Sequence, residues 1–441
     1  MNENSTTMLL QYINDSPTSY HATANACAQL QREGFTELRE ADKWDIQKGG
    51  RYFVTKNGSA FLAFITGTEN PVESGIRMIA AHTDSPCFQI KPNAEMHTEG
   101  VYCKLNTAAY GSPILSSWFD RPLAIAGRVL VRGSHTFAPR VVLVNIAKPV
   151  IVIPNLAIHL NEEANKGYVC NTQKDTLPLA GLIHNALETD GRLLRLLCAE
   201  TGLEAADILD FDLFLYEHTP AALVGIAADM ISAPRLDDLW MVHAGLTAIC
   251  SAKPAAHTQV LLGTDNEEVG SLTPAGAESA FAADCLRRIA ASSAYQLAAS
   301  GENPAEDFRR MMAQSFIVSA DLAHAVHPNH PDKHDPTTRP ILGGGMVVKH
   351  SVNRRYATDG IGAAIFTALC QRANLPCQAY VNRSDVKGGT TIGATLSAQL
   401  AARVVDVGAP ILAMHSAREL AAAADVAYAV NTFKAIYSTT I

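Results

Sequence analysis

The residues of this 441-residue chain that could carry chemistry are acidic and histidine side chains that follow short apolar runs. Runs of this kind lead into His82, into the pair Glu267 and Glu268, into Asp321 and into His415. Imidazole and carboxylate groups are ligands for divalent metal ions, and a carboxylate can also accept a proton as a general base. Held together in one place, these groups would form a site for metal-assisted hydrolysis.

The elements that must position these side chains are buried strands. Short apolar runs bounded by small and polar residues predict such strands, and residues 76–81, 259–263 and 315–318 fit this pattern. In an open α/β sheet, ligands bind at the carboxyl ends of the strands. We therefore expect the side chains that follow these three runs to lie on one rim of a sheet.

Composition is that of an ordinary globular protein, with 48% hydrophobic and 18% charged residues. The net charge of −8 and the lack of a long basic run argue against nucleic acid as a partner. Nine cysteines are scattered without a Cys-x-x-Cys pair, which indicates reduced thiols and a cytoplasmic location. The first residues lack the pattern of a signal peptide, and no apolar stretch is long enough to span a membrane, so no membrane partner is expected.

The middle of the chain differs in texture from its two flanks. Residues 8–34 and 359–373 have the apolar spacing of helices, whereas residues 92–233 alternate short strand-like runs with turns rich in Gly, Pro and Asn. One candidate ligand precedes this β-rich block, and the others follow it. The simplest account is one α/β catalytic domain, residues 1–91 and 234–441, interrupted by an inserted β-rich domain, residues 92–233.

Two motifs could supply both a metal ligand and proton transfer. In His82-Thr83-Asp84, an Asp two residues after a ligating imidazole can accept its other N–H and orient the ring; the alternative is a surface His–Asp pair. In the pair Glu267 and Glu268, adjacent side chains point in opposite directions, so one can bind a metal while the other acts on the attacking water. The alternative for this pair is a solvated acidic turn.

Further acidic and histidine residues leave two interpretations open. Asp237 and Asp238 precede an apolar segment with helical spacing, so one could cap a helix while the other bridges two metals. Asp321 is followed by His324 and His327, which we interpret as hydrogen-bonded neighbours of a site rather than as ligands. Because no cysteine joins this set, the ligand types favour Zn²⁺, Mn²⁺ or Co²⁺ in a catalytic site.

Signatures of several other enzyme classes are missing from the sequence. It contains no Gly-x-Ser-x-Gly, no Walker loop and no Gly-x-Gly-x-x-Gly. The glycine turn at residues 388–391 lacks the lysine placement of a phosphate loop. Its backbone amides could still approach a carbonyl or carboxylate of a substrate.

Taken together, the motifs resemble those of the M18 family of metallo-aminopeptidases, the aspartyl-aminopeptidase-like enzymes. The resemblance covers nearly the whole chain and rests on five segments in the family's order: residues 81–87, 117–121, 265–271, 319–325 and 413–419. It implies a mixed-sheet α/β/α catalytic domain of the dinuclear metallopeptidase type, in which the β-rich insertion is a dimerisation domain. Residues 382–388 depart from the family's usual Asn-Asp-x-x-x-Gly pattern, in a segment expected near the substrate.

The resemblance also implies a ligand set for two divalent metal ions per subunit, with zinc expected and manganese or cobalt as alternatives. His82 and Asp321 would hold one ion. Glu268 and His415 would hold the other, and Asp237 would bridge the two. The peptide bond after Asp237 is expected to be cis.

The same resemblance implies roles in catalysis and substrate binding. Glu267 would be the general base, and Asp84 would orient the imidazole beside it. Lys349 and Tyr356 match family positions near the substrate, and His159 matches a position that the family brings in from a neighbouring subunit. An acidic substrate side chain needs a local cation, which makes Lys349 the candidate for a preference for N-terminal Asp or Glu. The alternative for this lysine is a solvated strand end.

These roles predict an aminopeptidase that removes the N-terminal residue of peptides, so its partners would be peptide substrates. A homo-oligomer is also expected, in which dimers assemble to a dodecamer. Two alternatives remain: a metal-dependent amidohydrolase acting on small acylated amino acids, and a non-catalytic scaffold that retains the fold. The carboxylate of Glu267 argues against the scaffold, because a protein without activity has no need of a base beside a ligand.

Overall fold

The computed structural model describes residues 2–184, 191–292, 294–295 and 303–439. The chain forms two compact units. The first comprises Met1–Asp84, Ala221–Met414 and Glu419–Ile441, and the second comprises Ser85–Pro220 and His415–Arg418. Each unit has β-sheet structure and a hydrophobic core of its own.

Helices and strands alternate along most of the chain. In the described residues the α-helices are α1 (Asn2–Asp15), α2 (Ser19–Arg32), α3 (Pro71–Ser74), α4 (Arg192–Thr201), α5 (Leu236–Ser251), α6 (Phe281–Ala290), α7 (Pro304–Ala313), α8 (Gly360–Arg372), α9 (Ile392–Leu400) and α10 (Ala423–Ser438). The strands are β1 (Thr36–Leu38), β2 (Arg51–Lys56), β3 (Ala60–Ile65), β4 (Ile76–His82), β5 (Cys87–Thr98), β6 (Tyr102–Tyr110), β7 (Leu123–Val131), β8 (Arg140–Ile151), β9 (Leu179–Leu182), β10 (Ile208–Glu217), β11 (Ala222–Val224), β12 (Met230–Ala233), β13 (Thr258–Thr264), β14 (Phe316–Ala320), β15 (Ala323–His324), β16 (Met346–His350), β17 (Cys377–Val381), β18 (Arg403–Gly408), β19 (Pro410–Leu412) and β20 (Glu419–Ala422). Among the described helices, none combines the length and the apolar character needed to cross a membrane.

The first unit is built on a nine-stranded mixed sheet with the strand order β1-β2-β3-β13-β4-β14-β18-β16-β17. Strand β4 is parallel to both of its neighbours, β13 and β14. Every residue of these three strands is buried, which explains why they are nearly continuous apolar runs in the sequence. Because the three strands are parallel, their carboxyl ends meet at one edge of the sheet, as the sequence predicted.

Helices cover both faces of this sheet. Along β4, Ile79 and Ala81 belong to one hydrophobic cluster, whereas Met78 and Ala80 belong to another. The first cluster includes side chains of α1, α2, α5, α8 and α10, and the second includes side chains of α6, α7 and α9. This three-layer arrangement confirms the predicted mixed-sheet α/β/α domain. A five-stranded sheet with the order β11-β12-β20-β19-β15 completes the first unit.

The second unit is a six-stranded antiparallel sheet with the strand order β8-β7-β10-β5-β6-β9. Its core includes Phe88 and Trp118, whose rings meet edge to face with their centroids 5.2 Å apart. Leu193 and Leu197 of α4 also belong to this core.

The boundaries of the second unit differ from the predicted insertion, residues 92–233. Strand β5 already begins at Cys87, soon after β4 ends. At the other boundary, β11 and β12 pair within the first unit, where Met230 lies opposite Ala422 of β20. A strand that pairs with a distant part of the chain leaves no local signal of that partner. The sequence pattern therefore assigned β11 and β12 to the neighbouring β-rich block.

Candidate metal centre

Six of the predicted site residues lie together at the carboxyl edge of the nine-stranded sheet. They are His82, Asp84, Asp237, Glu267, Glu268 and Asp321. His82 is the last residue of β4, Asp321 directly follows β14, and Glu267 begins a short 3-10 helix after β13. The order of the parallel strands thus brings side chains from distant parts of the sequence to one place.

One buried group of the centre consists of an imidazole and three carboxylates. His82, Asp237, Asp238 and Asp321 each offer one ligand atom, and these atoms lie within 4.8 Å of one another. His82 Nε2 is 3.5 Å from Asp237 Oδ1. Buried carboxylates so close together repel one another unless a cation compensates their charge. The donor set matches the ligands that a catalytic Zn²⁺ or a similar divalent ion takes.

The carboxylate of Asp238 supplies a second indication of a cation. Its Oδ2 accepts the backbone N–H of His82 at 3.0 Å. Its Oδ1 is buried and has no hydrogen-bond partner among the described residues. Burying a carboxylate oxygen without a partner is costly, and a bound metal ion would remove that cost. The residues present therefore fit a divalent metal ion.

The start of α5 is shaped around these two aspartates. Asp237 and Asp238 have non-helical backbone angles, and the peptide bond between them is cis, as the resemblance implied. The N–H of Asp237 donates to Glu419 Oε2 at 3.0 Å. The sequence had suggested a helix cap or a metal bridge for this pair. It did not indicate that Asp238 accepts a hydrogen bond from β4, or that Glu419 accepts one from the N–H of Asp237. The only sequence signal for Asp238 is an acidic pair that opens an apolar helix.

Asp84 holds the turn that carries the two glutamates. Its Oδ1 accepts the N–H of Glu267 at 3.1 Å, and its Oδ2 accepts the N–H of Glu268 at 3.2 Å. The Nδ1 of His82 lies 3.1 Å from the carbonyl oxygen of Asp84 and 3.5 Å from its Oδ1. Sequence reasoning had assigned Asp84 only the orientation of His82, and its hold on the glutamate turn comes from the structure.

The glutamate turn aims two adjacent carboxylates toward the same imidazole. Asn266 before the turn and Gly270 after it both have left-handed backbone angles, with φ of 62° and 97°. Ligand atoms of Glu267, Glu268 and His82 lie within 4.8 Å of one another. The glutamates are half-buried beside His82, which favours a site over the alternative of a solvated acidic turn.

Burial and like charges shift several pKa values in the centre. Burial raises the pKa of Glu267 to about 7. Burial also raises the pKa of Asp238 well above its ordinary value and raises that of Asp321, although Lys349 opposes the second shift. Burial alone would lower the pKa of His82, but the carboxylates around it, Asp238 first, raise it well above 6.5. A divalent ion would displace these protons, because its ligands bind in their deprotonated forms.

Lys349 is held inside the first unit on β16. It is only 3% exposed, its Nζ donates to the carbonyl oxygen of Leu322 at 2.8 Å, and Nζ is 3.3 Å from Asp321 Oδ1. The buried ring of Tyr356 has its centroid 5.3 Å from Nζ. Burial alone would lower the pKa of Lys349, but Asp321 raises it above its ordinary value. The alternative of a solvated strand end is therefore wrong, and the ion pair with a candidate ligand was not predicted.

His324 and His327 were interpreted as neighbours of the site rather than ligands. The ring of His324 meets that of Tyr380 edge to face, with centroids 5.9 Å apart. The backbone N–H of His327 donates to Nε2 of His334 at 3.1 Å. Within the part of the chain that the structure describes, neither belongs to a group that could hold a metal ion.

The remaining predicted residues, His415 and His159, belong to the second unit. The Nδ1 of His415 is 3.1 Å from the carbonyl oxygen of Ser112. His159 is exposed in a short 3-10 helix, Ile158–Leu160. The roles suggested for them, as a metal ligand and as a substrate contact across subunits, stay predictions.

Known proteins resemble this chain over almost its whole length. The family model for aminopeptidase I zinc metalloproteases (M18) matches residues 12–437. The probable M18 family aminopeptidase 2 of Clostridium novyi (strain NT) is 47% identical over 430 residues, which cover 98% of this chain and 98% of that protein.

Solved structures share the fold as well. The cryo-EM structure of the Ape4 and Nbr1 complex matches with a TM-score of 0.93 and 34% identity, covering 99% of this chain and 86% of that chain. The structure of the S. cerevisiae mApe1 dodecamer matches with a TM-score of 0.85 and 27% identity, covering 99% of this chain and 98% of that chain.

Proposed function

We propose how this chain carries out its reaction. The chain belongs to the M18 family of zinc metalloproteases and is a metal-dependent aminopeptidase. It hydrolyses the peptide bond after the N-terminal residue of a peptide, with a preference for N-terminal Asp or Glu. The observation that carries the mechanism is the position of Glu267, whose carboxylate lies within 4.8 Å of ligand atoms of both His82 and Glu268. A carboxylate held beside metal ligands can accept a proton from the attacking water and return it later.

Two divalent metal ions, with zinc first among the candidates, would be held by the ligands that the resemblance implies. His82 and Asp321 would hold one ion. Glu268 and His415 would hold the other, and Asp237 would bridge them. When bound, the ions would lower the pKa of the attacking water and polarise the scissile carbonyl. Support for this assignment comes from the imidazole of His82 and the carboxylate donors that surround it.

The chain's own residues would move one proton and hold the geometry. Glu267 takes a proton from the water that attacks the carbonyl carbon and passes it to the nitrogen of the leaving peptide. Asp84 keeps this base in place, because its two carboxylate oxygens accept the N–H groups of Glu267 and Glu268. Rotation of the glutamate turn would break both hydrogen bonds, so the base stays positioned beside His82.

Lys349 is the proposed source of the acidic preference. Its ammonium group has three N–H donors, and the contacts with Leu322 and Asp321 use two of them. The third donor can bind the side-chain carboxylate of an N-terminal Asp or Glu. A charge-assisted bond in a buried setting is stronger than one at the surface, which favours acidic over neutral side chains.

We expect Lys349→Met to cut kcat/KM for N-terminal Asp and Glu by tens-fold and to affect neutral N-terminal residues much less. Methionine keeps an unbranched apolar stem but lacks the charge, and a hydrogen bond to a charged group contributes ~1.5–3 kcal/mol. The measurement is kcat/KM for Asp, Glu, Ala and Leu p-nitroanilides in the same enzyme preparation. Equal losses on acidic and neutral substrates would mean that Lys349 only compensates the charge of Asp321, and that side-chain selection lies elsewhere.

Chelation tests the reaction itself. Removal of metal ions should abolish hydrolysis of aminoacyl p-nitroanilides, and Zn²⁺, Mn²⁺ or Co²⁺ added back one at a time should restore it. N-acetylated amino acids serve as the comparison substrates. Hydrolysis of these in place of free-amine substrates would identify an amidohydrolase, and hydrolysis of neither by the metal-loaded protein would identify a scaffold.

We further propose that the chain forms a homo-oligomer in which dimers assemble to a dodecamer, since the similar mApe1 of S. cerevisiae is a dodecamer. The second unit would be the dimerisation domain, and His159 would reach the substrate of a neighbouring subunit. Mass measurement of the intact chain in solution tests this, and a fully active monomer would contradict it. All nine cysteines are free thiols, which supports the proposed cytoplasmic location.

A further inference from the structure

A cavity of about 580 Å³ in the first unit has the proposed general base in its wall. Three basic side chains also line it: Arg354, Arg355 and Lys387. Glu267 is the single acidic residue of this lining among the described residues. The chain as a whole has a net charge of −8, so a cluster of three cations beside the proposed base indicates a binding site for a negatively charged ligand.

The three cations keep their charges available to the cavity. Arg354 donates to the carbonyl oxygen of Thr358 at 3.1 Å, and Arg355 donates to that of Gly388 at 3.4 Å. Both acceptors are neutral backbone groups. In the described part of the chain, none of the three basic side chains forms an ion pair with a carboxylate.

The cavity does not extend to the residues proposed to bind the N-terminal side chain. Its lining includes Glu267 but neither Lys349 nor Tyr356. Lys349 lies against Asp321 instead, with its Nζ 3.3 Å from Oδ1 and 5.3 Å from the centroid of the Tyr356 ring. Because the proposed function assigns the N-terminal side chain to Lys349, a cavity that reaches Glu267 but not Lys349 is the place left for the leaving peptide.

We propose that this cavity binds carboxylates of the leaving peptide, either an acidic side chain directly after the scissile bond or the free α-carboxylate of a dipeptide. This inference rests on the proposed function and adds a second selective subsite to it. Guanidinium groups bind carboxylates through paired N–H donors, and Lys387 adds a point charge. Thr390 and Thr391, which follow the two glycines of the turn at residues 388–391, line the same space.

The test compares pairs of peptides that differ by one charge on the leaving side. Asp-Glu-NH₂ and Asp-Gln-NH₂ have the same shape, and Asp-Ala and Asp-Ala-NH₂ test the α-carboxylate separately. The wild-type chain should hydrolyse the acidic member of at least one pair with a kcat/KM about tenfold higher. The advantage should shrink as ionic strength rises, because the cations lie in an open cavity.

Charge-removing variants assign the effect to the cavity. In Lys387→Gln, and more fully in the double variant Arg354→Gln with Lys387→Gln, the ratio of acidic to neutral kcat/KM should fall toward one. The ratio is taken within each variant, so a loss of folded or metal-loaded protein cancels. Lys434→Gln removes the same charge from an exposed position on α10 and should keep the wild-type ratio.

The outcomes separate this inference from the proposed function. A wild-type ratio near one for both peptide pairs overturns the inference and leaves the aminopeptidase assignment intact. An undiminished ratio in the double variant overturns it too, because the preference would then arise elsewhere. Failure of the metal-loaded wild type to hydrolyse any of the four peptides would instead contradict the proposed function, and the subsite inference would be lost with it.

Discussion

Glu267→Gln should abolish peptide hydrolysis while leaving the metal content near that of the wild-type chain. Glutamine keeps the size of the side chain but cannot accept a proton from water, so kcat should fall by ~10²–10⁴-fold or more. The backbone N–H of residue 267 still donates to Asp84, so the turn should keep its position. Initial rates with the best aminoacyl substrate and elemental analysis of metal per chain check the two halves of this expectation.

The neighbouring Glu268 provides the matched control. Its N–H is held by the other carboxylate oxygen of Asp84, so both variants alter one side chain of the same anchored turn. Glu268→Gln should lose metal together with activity, because Glu268 is the proposed ligand. The opposite pattern, with metal lost from Glu267→Gln and kept in Glu268→Gln, would exchange the two roles. Activity of Glu267→Gln within about tenfold of wild type would remove it as the base.

The edge of the sheet could be predicted from sequence because β4, β13 and β14 are buried on both faces. Such strands are continuous apolar runs, and a polar residue at the end of a run is therefore conspicuous. The same pattern predicts that His82 and Asp321 lie at the ends of buried strands. The strand order could not be obtained in the same way, because β4 and β14 are neighbours in space although they are far apart in the chain.

The presence of helices was easier to predict than the positions at which they end. The predicted helix at residues 359–373 corresponds to α8, and the side chain of Asp359 caps it by accepting the N–H of Gly362 at 2.6 Å. Residues 8–34, predicted as one helical segment, form α1 and α2 with a break at Pro17. Apolar spacing continued across that break and concealed it, although a proline is a local signal against an uninterrupted helix.

Buried polar contacts were the part of the candidate site that the sequence could not reveal. Asp238 has the same local pattern whether it caps a helix or binds the backbone of a strand, and only the packing of α5 against β4 brings it to His82. Lys349 ends an apolar run like any solvated strand end, but β16 lies two strands from β14 and brings it to Asp321. Both contacts depend on which strands are neighbours, and periodicity carries no information about neighbours.

His82→Ala and Asp237→Asn should each lower the bound metal to about half of the wild-type content or less, with loss of activity. Both side chains offer ligand atoms within 4.8 Å of the other buried acidic groups, so removing either one leaves an incomplete donor set. The loss of activity should exceed the 10–100-fold that follows when a hydrogen-bond partner of a ligand is removed. Elemental analysis and kcat of the same preparations provide the measurement.

Stability measurements test these two ligands without relying on activity. A metal ion that binds only the folded chain adds RT ln(1 + [L]/Kd) to the free energy of unfolding, about 2.7 kcal/mol at 100 times Kd. Zinc should therefore raise the Tm of the metal-free wild-type chain and of Asp284→Asn, a control on the exposed side of α6, but should raise that of Asp237→Asn much less. Without metal, Asp237→Asn should be at least as stable as wild type, because it removes one of three clustered buried carboxylates. Full metal content and full zinc stabilisation in both His82→Ala and Asp237→Asn would show that the metal ions bind elsewhere.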